Sequence, residues 1–366
     1  MAVSRRRFLG RAVPLVGLVV AVAVTWAAGA AAASEVLGAI LSLLGLVVLL
    51  AVVFSAVHHA DVIAHRTGEP YGTLVLTVAV TVIEVALILS IMLAGKGQPG
   101  LARETVYAVI MVVCNGVVGL CLIVGGLRYG EQGFRLPGIN AYLVVLMPLA
   151  TLTLILPSYT TSAPGAYYSN VQLGFVSVAT LALYAVFLYV QTVRHRDYFL
   201  SDLGGGEEDH GVPPTSRQVW ESTVLLVIGL VAVVLLAKGV AGSIESTILE
   251  VGAPAEALGL LVALLVLLPE TLAAIRSARR NELQKSLNLA LGSSLATIGL
   301  TIPAVSLLAI VLEQPLELGM DQRDTAMLAL TFGVSLVTFV GGRTNILPGF
   351  VHLVLFAVFV FMIFVP

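Results

Sequence analysis

Two stretches of the chain decide how it is read: Gly72-Thr-Leu-Val-Leu-Thr-Val-Ala-Val-Thr-Val-Ile-Glu84-Val-Ala-Leu-Ile-Leu and Leu260-Leu-Val-Ala-Leu-Leu-Val-Leu-Leu-Pro269-Glu270-Thr-Leu-Ala-Ala-Ile. Each sets one carboxylate inside an apolar run of membrane length. An acidic residue at the centre of a spanning helix costs about 2.5–3.5 kcal/mol on insertion scales, so a chain keeps one where it faces a partner, a cavity or an ion. One such acid in each half of the sequence points to a pair. Glu84 and Glu270 are expected to meet near the membrane midplane and to hold a cation and protons in turn. Pro269 removes a helical hydrogen bond beside Glu270 and frees a carbonyl. For packing alone that is a defect; beside a hard cation it supplies an oxygen ligand.

The rest of the composition agrees. The 366 residues are 58% hydrophobic and 11% charged, against about 25% charged in a soluble domain. Apolar runs of about 20 residues recur along the whole length, as a helix needs to cross about 30 Å of hydrocarbon. The expected fold is therefore an all-α polytopic membrane protein with about 11 transmembrane helices. Cys114 and Cys121 share one apolar run, so no disulfide framework or cysteine metal cluster is available.

The helices are expected at 12–33, 34–57, 72–94 with Glu84, 103–127 with Asn115, 138–156 and 171–193. After a polar stretch they resume at 219–241, 254–279 with Glu270, 284–312 with Ser293 and Ser294, 325–341 and 346–365. The stretch from Arg194 to Gln218 contains Glu207, Glu208 and Asp209 and has the composition of a flexible linker. Four segments follow: an N-terminal arm and helix over 1–33, a first repeat over 34–193, an acidic linker over 194–218, and a second repeat over 219–366. Ser4-Arg5-Arg6-Arg7-Phe8-Leu9 matches a twin-arginine export signal; it also serves as a basic arm that holds the N-terminus in the cytoplasm. With the N-terminus inside, basic residues crowd the cytoplasmic loops, and the outer side holds Lys96, Arg103, Lys238 and Arg323. That places the C-terminus outside.

Five helices on each side of the linker make the two halves run in opposite directions, a common build for secondary transporters with the ion site at the repeat interface. In each half the second helix carries the glutamate. The third carries small polar residues beside glycine, Asn115-Gly116 in one and Gly292-Ser293-Ser294 in the other. Glu84 lies 12 residues past Gly72, about 18 Å along a helix, and Glu270 lies 16 past Pro254, about 24 Å.

The stretches Gly68 to Ile88 and Leu267 to Ser294 resemble the paired repeats of the calcium/cation antiporter superfamily, and within it the bacterial ChaA-type calcium/proton antiporters. Glu207, Glu208 and Asp209 resemble the acidic segment between those repeats. The resemblance implies an exchanger of Ca2+ for protons. Thr81 and Leu267 stand where many relatives carry asparagine, so it also implies that sodium and potassium are plausible substrates.

Several residues keep two readings. Asn115, Ser293 and Ser294 either coordinate an ion or water or join helices. Thr81, on the helix face of Glu84, is either a ligand or bonded back to its own helix. His58, His59, Asp61 and His65 form an interfacial polar collar, a metal site or a proton antenna. Glu207, Glu208 and Asp209 form a solvated loop or a sensor.

The function expected is exchange of cytoplasmic cations for external protons across the inner membrane, with alternating access at the two glutamates. Alternatives are a monovalent sodium or potassium/proton antiporter with little calcium activity, and a cation channel, although no pore-loop segment is evident. No motif of an intramembrane enzyme is found, and no cofactor or nucleic-acid partner is implied. The partners are inorganic cations, protons and the lipid bilayer.

Overall fold

The computed structural model describes residues 2–31, 35–67, 71–94, 99–200, 214–250, 252, 254 and 256–365. They form eleven helices: α1 (Ala2–Ala31), α2 (Glu35–Thr67), α3 (Tyr71–Ala94), α4 (Leu101–Tyr129), α5 (Leu136–Tyr159), α6 (Asn170–Arg194), α7 (Ser216–Glu250), α8 (Glu256–Ala278), α9 (Leu283–Val311), α10 (Gln322–Phe339) and α11 (Ile346–Phe364). Nine are long and apolar enough to cross a membrane. The helices follow the expected order, with two corrections of length. The second runs on to Thr67 and the seventh, through Gly239 and Gly242, to Glu250, because no proline interrupts either helix where hydropathy fades.

The chain forms two compact units, Met1–Gln98 with His210–Leu258, and Pro99–Asp209 with Gly259–Pro366. In the first, α1, α2, α3 and α7 pack together. Val52, Val53, Ala56 and Ala60 of α2 are buried, whereas Leu43, Leu44 and Val47 are exposed, as on a helix with one lipid-facing side. Arg11 pairs with Glu221, and His59 Nδ1 lies 3.2 Å from Ser222 Oγ, so polar contacts tie α1 and α2 to the start of α7.

The second unit carries the symmetry. At one end, the backbone N–H of Glu317 donates to Pro99 O, that of Gly319 to Ala166 O, and that of Met320 to Leu154 O. This end gathers the start of α4 and the α5–α6 and α9–α10 loops. Arg103 holds it, donating to Glu317 at 2.6 Å and to Gly319 O at 2.9 Å. At the other end β1 (Gln132–Gly133) pairs antiparallel with β2 (Arg343–Thr344). Gln132 Nε2 donates to Asn281 and Arg135 N–H to Gln284, so the α4–α5, α8–α9 and α10–α11 loops meet there. Helices α4, α5 and α6 therefore run in senses opposite to α9, α10 and α11, as inverted repeats require.

The two halves interleave. Gly116 of α4 lies against Phe356 of α11, and Gly299 of α9 lies against Tyr184 of α6. The third helix of each half thus packs on the fifth helix of the other. Helices α4 and α11 cross closely: a Cβ on Gly349 would stand 3.0 Å from the Gly119 carbonyl oxygen and 2.8 Å from Ile123. Small residues allow such approach in membranes, where apolar side chains gain nothing from leaving lipid.

Gly349→Leu should cost about 1–3 kcal/mol, the range for overpacking, and lower the unfolding temperature in detergent. Gly174→Ala, with nothing within 4 Å of the new Cβ, serves as the control and should leave that temperature unchanged or raise it, alanine being the better helix former.

Candidate functional site

Intramembrane polar groups mark the residues that matter, since each must be satisfied without water. In the first unit, Glu84 sits 13 residues after Tyr71 in the 24-residue α3 and is 1% exposed. The Thr81 hydroxyl donates to Thr77 O at 2.9 Å, so it is bonded back to its own helix and keeps only acceptor capacity. In the second unit, Glu270 sits 14 residues after Glu256 in the 23-residue α8. Each carboxylate is therefore close to the middle of its own helix. Glu270 Oε2 is buried with no hydrogen-bond partner among the described residues. Pro269 precedes it inside the helix and leaves the Leu265 carbonyl without the usual donor.

The third helix of each half contains a π turn, Val112–Val117 in α4 and Thr297–Thr301 in α9. A π turn inserts a residue, rotates the following side chains and loosens the backbone pairing, and such turns gather at functional sites. Asn115 lies inside the first. Ser293 and Ser294 lie just before the second, their carbonyls sharing the N–H of Thr297. Ser294 is fully buried, and its hydroxyl has no partner among the described residues.

Asn115 is anchored by residues that the sequence reading did not single out. Its Nδ2 donates to Thr331 Oγ1 of α10 at 2.9 Å, and its Oδ1 lies 3.1 Å from His352 Nδ1 of α11. His352 Nε2 lies 3.0 Å from Thr338 Oγ1. All four residues are buried. His352 was findable, as an ionisable residue within the apolar run of the last helix. No hydrogen bond joins Asn115 to Ser293 or Ser294 among the described residues.

The collar on α2 resolves into separate side chains. His59 is buried against Ser222, its ring 5.5 Å from that of His58, while His58, Asp61 and His65 are exposed. Among the described residues no group of three or more His, Cys, Asp or Glu gathers as a metal site would need, so the metal reading of this cluster fails. His58, Asp61 and His65, spaced i, i+3 and i+7, share the exposed face of α2, and His59 alone turns inward. Glu207, Glu208 and Asp209 lie outside the described residues.

Comparison with known proteins places this architecture. The sodium/calcium exchanger protein family matches residues 37–193 and 221–365, both halves with the linker left out. A protein of Sinorhizobium fredii, y4hA, with a provisional description as an ionic transporter, is 44% identical over 86% of either chain. The sodium-potassium/proton antiporter ChaA of Escherichia coli is 39% identical over 85% of either chain. Among solved structures, the Ca2+/H+ antiporter YfkE superposes with a TM-score of 0.72 at 15% identity, covering 98% of this chain and 99% of that one.

Asn115→Leu should leave His352 Nδ1 without its partner and Thr331 Oγ1 without its donor, and cost about 1–3 kcal/mol, the penalty for buried polar groups left unsatisfied. Thermal unfolding of the purified variant in detergent measures it.

Proposed function

The chain belongs to the sodium/calcium exchanger protein family, and on that premise we propose that it is a secondary antiporter exchanging cytoplasmic cations for external protons. The observation that carries this reading is the recurrence of one intramembrane glutamate at the second helix of each inverted half, Glu84 and Glu270. Both carboxylates bind the transported cation, with Asn115, Ser293, Ser294 and the Thr81 oxygen as further oxygen donors. Sites of this kind suit hard cations, which take oxygen ligands.

Coupling follows from electrostatics. A bare carboxylate in hydrocarbon is costly, so each glutamate crosses the barrier only when neutralised by a proton or a cation. Cation and protons compete for the same oxygens, and an empty, doubly charged state does not reorient. The two fluxes are thereby tied, and alternating access carries them in opposite directions.

The cation choice extends beyond calcium. Thr81 and Leu267 supply no amide oxygen, and the E. coli relative at 39% identity is named a sodium-potassium/proton antiporter. The second reading, a monovalent antiporter with little calcium activity, draws on the same two facts. Sidedness follows charge. Arg128, Arg135, Arg279, Arg280 and Arg343 lie at the β1–β2 end of the second unit and Arg103 and Arg323 at the other. The β1–β2 end therefore faces the cytoplasm of the inner membrane, the N-terminus is inside and the C-terminus outside. Residues 34–193 and 219–366 act as the two repeats, joined by the acidic linker.

Proton movement in everted vesicles, with calcium, sodium and potassium offered separately, tests this reading. Glu84→Gln and Glu270→Gln should insert normally yet lose cation-dependent proton release; near-normal exchange in either removes that residue from the site. From pH 6.5 to 9 fewer protons compete, so the half-saturating cation concentration should fall, by at most about tenfold per pH unit for each proton displaced. A flat profile excludes competition at the carboxylates.

A further inference from the structure

The chain of buried hydrogen bonds through Asn115 has a direction, and its donors and acceptors fix it. Met111 Sδ lies 3.7 Å from Asn115 Nδ2 and 3.5 Å from Thr331 Oγ1. A thioether can only accept, so the Thr331 hydroxyl hydrogen goes to it, and Thr331 Oγ1 accepts from the Asn115 amide. Asn115 Oδ1 then faces His352 and can only accept, so His352 Nδ1 carries the ring hydrogen. Nε2 of the neutral ring accepts from Thr338. Donation runs Thr338 to His352 to Asn115 to Thr331 to Met111. Turning the amide over would reverse every link and leave the sulfur without a donor.

We propose that His352 is a positioning residue for cation binding: it holds the Asn115 amide in one orientation, with its oxygen toward the imidazole N–H. This rests on the proposed role of Asn115 at the exchange site. Three further features support it. The π turn over Val112–Val117 loosens the backbone that carries Asn115, so its side chain needs an outside anchor. His352 projects from the part of α11 that lies closest to α4, between Gly349 and Phe356, where its own backbone is well placed. An amide in the middle of the chain does not pass a proton as a hydroxyl does, so the chain is suited to holding a geometry rather than conducting. With one Oδ1 lone pair taken by His352 and the amide hydrogens facing Thr331 and Met111, the second Oδ1 lone pair is the coordinating capacity that Asn115 keeps.

Three variants of the full-length chain in liposomes separate positioning from packing. His352→Asn keeps an N–H at the place of Nδ1, the atom three bonds from Cα. His352→Gln keeps a polar atom only near Nε2, within reach of Thr338. His352→Leu keeps neither. With calcium, sodium and potassium each as the probe ion, His352→Leu and His352→Gln should raise the half-saturating concentration about tenfold, the size expected for one lost buried hydrogen bond, at near-normal maximal rate. His352→Asn should return it to within about twofold of wild type. In an Asn115→Ala background, His352→Leu should add nothing, since the effect passes through the amide. Equal behaviour of the Asn and Gln variants, or an additive effect in that background, overturns the proposal. If His352→Leu fails to fold, the Asn and Gln pair still decides. A wild-type chain that moves no protons on cation addition refutes the antiporter reading. A working wild type whose half-saturation is indifferent to His352 refutes the positioning role alone.

Discussion

Everything in this molecule answers to one constraint: inside hydrocarbon, a charge or an unpaired polar group has no water to fall back on. The fold meets it in three ways. Threonine hydroxyls at 81, 105, 153 and 180 bond back to the carbonyl one turn earlier. The amide, imidazole and hydroxyls around Asn115 satisfy one another in a closed series. On the proposed reading the glutamates meet it by exchange, with a cation or a proton sitting on each carboxylate. On that reading the physics that makes Glu84 and Glu270 expensive also makes them useful.

The membrane architecture was legible because it is written in long apolar runs and in the direction each helix must take. Helix order, the inverted halves and the mid-helix placement of both glutamates could be read from hydropathy and parity alone. In helical position the two acids agree better than the sequence suggested, 13 and 14 residues into their helices rather than 12 and 16, because the true helix starts lie closer together.

What could not be read belongs to packing. The π turns in α4 and α9 leave no mark in composition, since a single inserted residue preserves the apolar run. Nothing in the local sequence marks Thr331 and Thr338; they become partners of Asn115 and His352 only through the packing of α10 with α4 and α11. The reach of α2 to Thr67 was missed because His58, Asp61 and His65 read as the end of a span, whereas a helix can run on into water with such residues on its exposed sides.

The interleaving of halves has a consequence for how the chain is made. Helix α4 finds its partner in α11 and α6 finds its partner in α9, so both lack these partners until the second half is made. Asn115 waits in the bilayer without its imidazole until α11 leaves the ribosome, more than two hundred residues later. During that interval the glycine face of α4 is open to any neighbouring small-residue helix. Assembly of this unit is therefore a late step that waits for α11, the wedge that locks α4 in place.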